Sequence, residues 1–312
     1  MRKFPSLLPL SLFFLCISAC RPGDKKENST QKIDGPTTVE KQDLAYFDSI
    51  AAWRQKRTAS LKADDGWLNL AGLYWLKEGE NTLGAGEGNA MVLPKGKADV
   101  HLGSYLLENG VLHFRAADKK AVKIKGTEGF VDSLKIFPPD SGIVLGHRKL
   151  EWFLIKRGDQ FGIRLRDLDS ELAKSFTGVE TFPVDPHWRV RAKFEPTPSR
   201  TINILNVLDQ SSGENSPGTL HFELDGKEYR LDALEGGKRL FIIFGDLTNG
   251  EQTYGAGRFL YVDAPDATGH TWLDFNKAYN PPCAFTPYST CPLPPRENLL
   301  PLAILAGEKV YE

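Results

Sequence analysis

The spacing of hydrophobic and polar positions predicts one helix ahead of a long series of strands. Over residues 43–61, apolar positions recur at the spacing of one helix face. Leu44, Phe47 and Ile50 belong to this face, and Asp43 is placed to cap the first turn. We therefore expect a helix over residues 43–61 that begins at Asp43.

Beyond the helix, short apolar segments alternate with turn signals, as is typical of β-strands. The strongest turn signal is Asp225-Gly226, because two such residues between apolar runs favour a tight hairpin turn. The predicted strands occupy residues 111–115, 133–137, 151–156, 161–165, 188–194, 201–208, 218–224, 227–231, 239–244, 258–263 and 271–275.

No helical pattern of length separates these strands, and no repeat of about 20–50 residues indicates a propeller or solenoid. The sequence therefore predicts a mainly β fold, with antiparallel strands in a sandwich- or barrel-like arrangement and one N-terminal helix. We expect residues 43–312 to form a single β-rich domain. Its two lobes are predicted to meet near residues 183–187, where prolines interrupt the pattern.

The first twenty residues have the pattern of a lipoprotein signal peptide. Arg2 and Lys3 precede an apolar run over residues 7–17, which is shorter than the roughly 20 residues of a membrane-spanning helix. Residues 17–20 resemble the bacterial lipobox, in which the final cysteine, here Cys20, is lipidated. An ordinary secretory signal with an incidental cysteine is the alternative.

The lipobox predicts a protein attached to a membrane by its N-terminal lipid. We expect a signal peptide over residues 1–19, a flexible polar tether over residues 20–42, and acyl chains such as palmitate on Cys20. The predicted location is the bacterial cell envelope. Arg21 replaces the aspartate that is associated with inner-membrane retention, so the outer membrane is favoured over the inner one.

Overall charge argues against nucleic acid as a partner. The chain has 39 Lys and Arg against 40 Asp and Glu, which gives a net charge of −1. No excess of basic residues is available to follow a phosphate backbone. A hydrophobic fraction of 41% is sufficient for a sizeable core.

Two cysteines remain in the predicted mature chain, Cys283 and Cys291, within a proline-rich segment. An envelope location permits a disulfide between them, and a short preorganised loop favours its closure. Two buried free thiols are the alternative. A metal pair is disfavoured, because no nearby histidine or cysteine completes a set of four zinc ligands. The sequence therefore predicts no metal and implies no cofactor.

Several stretches together form a long and unusual pattern, namely residues 67–79 (WLNLAGLYWLKEG), 185–190 (DPHWRV), 240–246 (LFIIFGD), 253–260 (TYGAGRFL), 273–283 (LDFNKAYNPPC) and 291–295 (CPLPP). Over residues 45–312 the chain thereby resembles the bacterial and archaeal family catalogued as domain of unknown function 1684. The resemblance implies no particular reaction. Because some members of that family look cytoplasmic yet keep the paired cysteines, the resemblance favours buried thiols or a site over a structural disulfide.

The densest group of polar residues lies in the C-terminal third, at predicted strand ends and in loops, where binding sites are common. Arg258 can hold a carboxylate or phosphate through two hydrogen bonds, and Asp246 or Asp274 can act as a base or hold the arginine. We therefore predict a pocket for a small polar or anionic ligand beside the loop formed by residues 283–291, which we call the cysteine loop. Its predicted ligand-binding residues are Asp246, Tyr254, Arg258, Asp274, Asn276, Tyr279 and Asn280.

Two alternatives stay open. In the first, the chain is a hydrolase that uses Cys283 or Asp274, although His270 lies in a predicted turn and no nucleophile elbow is present. In the second, it is a structural or interaction lipoprotein, and the polar residues only fix a loop. Strand alternation also predicts that Arg164 and Arg166 share a solvated face.

Overall fold

The computed structural model describes residues 38–136 and 142–311. The predicted signal peptide, Cys20 and the predicted tether up to residue 37 lie outside the described residues. Within those ranges, no helix is both long and apolar enough to cross a membrane. Strands make up 45% of the protein and helices 15%, so the predicted mainly β fold is confirmed.

A long helix, α1 (Thr38–Lys62), precedes the sheets. It begins before Asp43, so this aspartate lies inside the helix and does not cap it. The last residues of the predicted tether, 38–42, are therefore helical. Glutamate, lysine and glutamine in this stretch have good helix propensity, which lets an established helix extend without an apolar stripe.

Helix α1 buries fewer apolar side chains than the spacing predicts. Ile50 and Leu61 are 0% and 1% exposed, but Leu44 and Phe47 are 56% and 38% exposed. Helical spacing of Leu44 and Phe47 is therefore not accompanied by their burial. Side-chain hydrogen bonds, and not the packing of these two side chains, hold the helix. One of them runs from Arg54 to the carbonyl of Phe182 at 2.9 Å.

The first half of the protein contains ten strands within residues 70–136 and 142–167: β1 (Leu70–Trp75), β2 (Gly79–Gly84), β3 (Met91–Val92), β4 (Gly103–Glu108), β5 (Val111–Ala116), β6 (Lys123–Ile124), β7 (Ser133–Ile136), β8 (Val144–His147), β9 (Leu150–Arg157) and β10 (Gln160–Asp167). They form two five-stranded sheets with the orders β1-β10-β9-β8-β6 and β3-β2-β4-β5-β7. Neighbouring strands are antiparallel except for the short β2–β3 pair.

After a short helix, α2 (Glu171–Ser175), the second half forms one six-stranded antiparallel sheet. Its strands are β11 (Arg189–Leu205), β12 (Ser211–Leu224), β13 (Lys227–Gly236), β14 (Arg239–Phe244), β15 (Arg258–Asp263) and β16 (His270–Asp274). The order is β15-β14-β13-β12-β11-β16. The two edge strands, β15 and β16, lie close together. The hydroxyl of Thr271 on β16 donates to the carbonyl of Asp263 on β15 at 2.9 Å. The sheet is therefore nearly closed into a barrel.

Each half of the protein has its own apolar cluster. In the first half, Trp152 is fully buried and its indole nitrogen donates to the hydroxyl of Tyr105 at 2.8 Å. In the second half, Leu220, Leu231 and Phe275 are all 0% exposed and belong to one cluster inside the barrel-like sheet. The alternating pattern of the predicted strands thus buries one face of each sheet.

The predicted hairpin at Asp225-Gly226 is confirmed. Both residues have positive φ, 52° and 73°, as a type I′ turn requires. Leu224 of β12 pairs directly with Lys227 of β13, so the turn contains only these two residues.

Beyond β16, residues 275–311 form short 3₁₀ turns and extended segments that run back over the barrel-like sheet. Backbone hydrogen bonds hold this segment along its length. Leu293 donates to the carbonyl of Leu205 at 2.7 Å, and Leu300 donates to the carbonyl of Gly245 at 2.8 Å. This segment carries three of the seven predicted ligand-binding residues, Asn276, Tyr279 and Asn280, and both Cys283 and Cys291.

Candidate functional site

Asp246 and Arg258 form a buried ion pair in the second half of the protein. Arg258 is the first residue of β15, and Asp246 lies just beyond the end of β14. Arg258 Nη2 is 2.8 Å from Asp246 Oδ2, and both side chains are 0% exposed. Burial lowers the pKa of Arg258, and the carboxylate of Asp246 opposes this shift. A guanidinium sealed in this way is not open to a ligand, so the predicted grip of Arg258 on a carboxylate or phosphate is not what the structure shows.

The Nη atoms of Arg258 also donate to the backbone near the C-terminus, while its Nε has no hydrogen-bond partner among the described residues. Nη2 donates to the carbonyl of Ile304 at 3.0 Å. Nη1 donates to the carbonyl of Ala306 and to that of Glu308 at 3.3 Å. We call residues 304–308 the C-terminal clamp, because one arginine fixes three of their carbonyls.

The carboxylate of Glu308 extends the clamp to two other segments. Its Oε1 accepts from Arg57 Nε of α1 at 3.0 Å, and its Oε2 accepts from the backbone N–H of Asn280 at 2.7 Å. Arg57 also donates to the carbonyl of Asn280 at 2.9 Å, while the Asn280 amide donates to the carbonyl of Lys309 at 2.7 Å. Asn280 is therefore used to tie α1 to the clamp.

Asp274 and Asn276 bind helix α1 at a second point. Asp274 Oδ1 accepts from the hydroxyl of Tyr46 at 2.9 Å. The Asn276 amide donates to the Tyr46 oxygen at 2.9 Å and to the carbonyl of Asp185 at 2.8 Å. Burial and then the charge of Asp274 raise the pKa of Tyr46. Asp274 is thus paired with Tyr46 and, at 3.4 Å, with Lys277, and not with Arg258.

The residues of a cysteine hydrolase are not brought together. His270 Nδ1 lies 3.1 Å from the hydroxyl of Thr268 and 2.9 Å from its carbonyl, inside the turn that the sequence predicts. Asp274 is engaged with Tyr46. Among the described residues, no histidine or carboxylate makes a hydrogen bond to Cys283, so this thiol lacks an adjacent general base.

Cys283 and Cys291 lie side by side as free thiols. The backbone N–H of Cys283 donates to Cys291 Sγ at 3.0 Å, and the N–H of Cys291 donates to Cys283 Sγ at 3.2 Å. The hydroxyl of Ser289 donates to Cys283 Sγ at 3.0 Å. Tyr254 is close by, since burial and then the charges of the two cysteines raise the pKa of its phenol. The disulfide itself stays a prediction.

Arg164 of β10 lies behind the cysteines and is only 4% exposed. The prediction that it faces solvent is wrong, because the cysteine loop and Trp67 cover its strand face. Its Nη2 is 3.4 Å from the hydroxyl of Thr290, and its guanidinium lies 5.7 Å from the Trp67 ring. Arg166 is less buried and stacks at 4.6 Å on Phe153.

A cleft of about 440 Å³ opens between α1 and the strands β14 and β15. We call it the basic cleft. Its aromatic walls are Trp53, Trp67, Phe241, Phe259, Tyr261 and Tyr279. Four cationic side chains also line it, namely Lys56, Arg57, Arg239 and Lys277. None of the described residues that line the cleft is acidic.

The four cations of the basic cleft differ in how they are balanced. Arg57 and Lys277 each have a carboxylate partner, at 3.0 Å and 3.4 Å. Lys56 and Arg239 form no ion pair with any residue that the structure describes, and Arg239 instead lies 4.2 Å above the ring of Tyr261. The cleft therefore carries two positive charges that no carboxylate of the described residues neutralises.

Tyr279 is the centre of the aromatic wall. Its ring is nearly parallel to that of Tyr261, at 14° and 6.3 Å, and it packs on Phe259 at 5.9 Å and Trp53 at 6.4 Å. Arg57 lies 4.6 Å above the same ring. Burial raises the pKa of the Tyr279 phenol, so this hydroxyl stays neutral at physiological pH. These contacts hold the wall in one arrangement.

The sequence prediction and the observed cleft share one residue, Tyr279. Sequence analysis missed Lys56 and Arg239, which stand on α1 and at the start of β14. The adjacent basic pairs at residues 56–57 and 238–239 are the local signals for them. No local pattern indicates that a helix near the N-terminus packs beside β14 and β15.

Residues 174–309 match the family described as "Protein of unknown function (DUF1684)". The matched part includes β11–β16, the cysteine loop and the C-terminal clamp. Helix α1, which supplies Lys56 and Arg57 to the basic cleft, lies outside it. No curated protein matches the chain.

Among solved structures, the uncharacterized protein from gene locus rrnAC0354 of Haloarcula marismortui is 33% identical in sequence to this chain. The match covers 45% of this chain and 80% of the Haloarcula protein, with a TM-score of 0.38. Two structures of FHA domains also match, each at 15% identity, over 30% of this chain, with TM-scores of 0.21. One is described as the FhaA FHA domain complexed with the intracellular domain of Rv3910 and is covered over 96% of its length. The other concerns phosphothreonine-dependent FHA domain interactions and is covered over 92%.

Replacing Arg258 tests whether the buried pair is structural. We expect Arg258→Met to lower the free energy of unfolding by about 3–5 kcal/mol, because it leaves the Asp246 carboxylate buried and unpaired. Arg191→Met is the control, since its ion pair with Asp266 is 3.7 Å long and more than half exposed, and is expected to cost only about 0–1 kcal/mol. Urea denaturation measures both. Equal, small losses would show that the clamp does not depend on Arg258.

Proposed function

We propose that this chain, whose residues 174–309 belong to the family of proteins of unknown function DUF1684, binds a small anionic ligand with a flat apolar part in the basic cleft. The observation that carries the proposal is the composition of the cleft. It combines four cations and six aromatic rings, and no described lining residue is acidic. The proposal keeps the small anionic ligand that the sequence predicts. It places this ligand in the basic cleft and not at Arg258.

Charge is the first argument. Lys56 and Arg239 have no carboxylate partner among the described residues, and both line the same cleft. A bound anion placed between them gains attraction from two charges that the described part of the chain does not neutralise. Arginine can hold a carboxylate, sulfonate or phosphate through two hydrogen bonds, and lysine adds a point charge.

The aromatic wall supplies the second argument. Phe241 and Tyr261 are direct neighbours on β14 and β15, with ring centroids 5.0 Å apart. With Tyr279 they form a fixed apolar surface beside the cations. A flat ring on this surface buries apolar area and stacks in the offset or tilted geometry that aromatic rings prefer. A ligand with both an anionic group and a flat ring therefore matches the cleft better than a free inorganic anion.

A matched pair of fluorescent probes tests this proposal. We expect 8-anilinonaphthalene-1-sulfonate, an anion, to bind the protein at least about tenfold more tightly than uncharged N-phenyl-1-naphthylamine, because one charged hydrogen bond contributes about 1.5–3 kcal/mol. Energy transfer from Trp53 and Trp67, which line the cleft, reports binding there. Equal affinities of the two probes would contradict the proposal.

Two double variants separate cleft charge from overall charge. Lys56→Gln with Arg239→Gln is expected to weaken sulfonate binding by about tenfold or more and to leave the neutral probe unchanged. Lys119→Gln with Arg191→Gln removes the same charge from exposed positions outside the cleft lining and is expected to change neither affinity. Equal effects of both double variants would mean that only net charge attracts the probe.

We also propose that the protein works at a bacterial envelope membrane, attached through acylated Cys20. The support is the sequence of residues 1–20 alone, and these residues lie outside the described part of the chain. In cells given a clickable palmitate analogue, we expect label on the wild type and none on Cys20→Ser. Cys16→Ser is the control and is expected to keep the label. Label on both variants, or on neither the wild type nor the control, would contradict the proposal.

A further inference from the structure

We propose that Cys283 and Cys291 form a reversible dithiol–disulfide site, in which Cys283 attacks a small disulfide and Cys291 resolves the mixed disulfide. The site is separate from ligand binding in the basic cleft and does not rest on it. The proposal stands on three features of the structure, which are the contacts of the two sulfurs, a buried arginine without a carboxylate partner, and the unequal exposure of the two thiols.

The two sulfurs are held against each other by the backbone. Each cysteine N–H donates to the other residue's Sγ, at 3.0 and 3.2 Å. Both residues are themselves anchored, because the N–H of Val207 donates to the carbonyl of Cys291 at 3.0 Å and the 3₁₀ turn of Pro282–Ala284 fixes Cys283. A bond between the sulfurs therefore needs little movement of the chain.

Cys283 Sγ has the surroundings of a thiolate. It accepts hydrogen bonds from the hydroxyl of Ser289 at 3.0 Å and from the N–H of Cys291 at 3.2 Å. The charge of Arg164 favours the thiolate, and the phenol of Tyr254 also lies near the two cysteines. Arg157 reaches the same loop, because its Nε donates to the hydroxyl of Thr290 at 3.0 Å. Hydrogen bonds and a nearby cation favour the charged form of a thiol.

Arg164 needs a counter-ion that no carboxylate supplies. It is 4% exposed, and among the described residues it forms no ion pair. Its one hydrogen bond is a 3.4 Å contact to Thr290, and its Nε has no partner. An unpaired buried charge is costly. A thiolate at Cys283 lowers this cost, which gives the arginine a role that packing alone does not explain.

The two thiols differ in acidity and exposure. Interaction with the Cys291 side chain, with help from Ser289 and Arg164, lowers the pKa of Cys283 to about 6. The same interaction and burial raise the pKa of Cys291, whose thiol lies 3.7 Å from the hydroxyl of Ser289. Cys283 is partly exposed, whereas Cys291 is buried. A dissolved disulfide therefore reaches the Cys283 thiolate first. The Cys291 thiol is buried behind it and reacts only after a mixed disulfide has formed.

The proposed exchange balances in atoms and electrons. The Cys283 thiolate attacks one sulfur of a small disulfide, forms a mixed disulfide, and expels the other half as a thiolate. The Cys291 thiol then attacks Cys283 Sγ, passes its proton to the expelled thiolate, and releases the second half as a thiolate. The two cysteines lose two electrons, and the small disulfide gains them.

Hydroxyethyl disulfide is the probe, and mass spectrometry after acid quenching is the measurement. On the intact chain, we expect loss of two hydrogens and restoration by dithiothreitol. On Cys291→Ser, we expect a mixed disulfide at residue 283. On Cys283→Ser, we expect no adduct within the same time, because Cys291 is buried and protonated. Equal adducts on both single variants, or no product on the wild type, would overturn the proposal.

The pH profile of alkylation checks the thiolate without any substitution. With iodoacetamide at limiting time, we expect the rate at Cys283 to rise with pH and to be half-maximal near pH 6, well below the value of about 8.5 for an ordinary thiol. Arg164→Met is expected to move the midpoint upward. Arg166→Met, on the same strand, is expected to leave it unchanged. A wild-type midpoint near that of an ordinary thiol would overturn the proposal even if Arg164→Met fails to fold.

Discussion

The buried guanidinium of Arg258 is the interaction on which the second half of the protein depends. Taking a charge out of water is costly, and hydrogen bonds beyond the ion pair itself reduce that cost. Asp246 supplies the opposite charge, and three carbonyls of the C-terminal clamp take further N–H groups. Residues 304–308 must therefore lie against the start of β15. The path of the chain has little freedom at this point.

This constraint reaches both proposed sites through one residue. Glu308 ends the clamp, and its carboxylate holds Arg57 of α1 and the backbone of Asn280. Tyr279 and Cys283 lie on either side of Asn280 in the chain. The clamp thus sets the position of α1 relative to the aromatic wall of the basic cleft. It also fixes the backbone just before the cysteine loop. The two sites share this support, although they use different chemistry.

Local patterns made much of the fold predictable. The alternation of apolar residues indicated the strands, and Asp225-Gly226 indicated its hairpin because a type I′ turn needs positive φ at both positions. The helix was harder to place. Leu44 and Phe47 have helical spacing but remain exposed, since hydrogen bonds and not an apolar stripe hold the first half of α1.

The site was only partly predictable for a related reason. The sequence left Asp246 and Asp274 open as partners of Arg258, and the structure pairs the arginine with Asp246. Spacing also does not distinguish a sealed pair from an open one. Lys56 and Arg239 meet through long-range packing that leaves no periodic signal. Arg164 was predicted to be exposed because strand alternation does not reveal that a distant loop covers its face.

Arg258 has a structural role, and ligands are proposed to enter the basic cleft. Backbone amide NMR spectra during titration with 8-anilinonaphthalene-1-sulfonate test this division of roles most directly. We expect the largest shifts at Lys56, Tyr261 and Tyr279, with little change at Asp246 and Arg258. Largest shifts at Asp246 and Arg258, or shifts spread evenly over the surface, would contradict this division of roles.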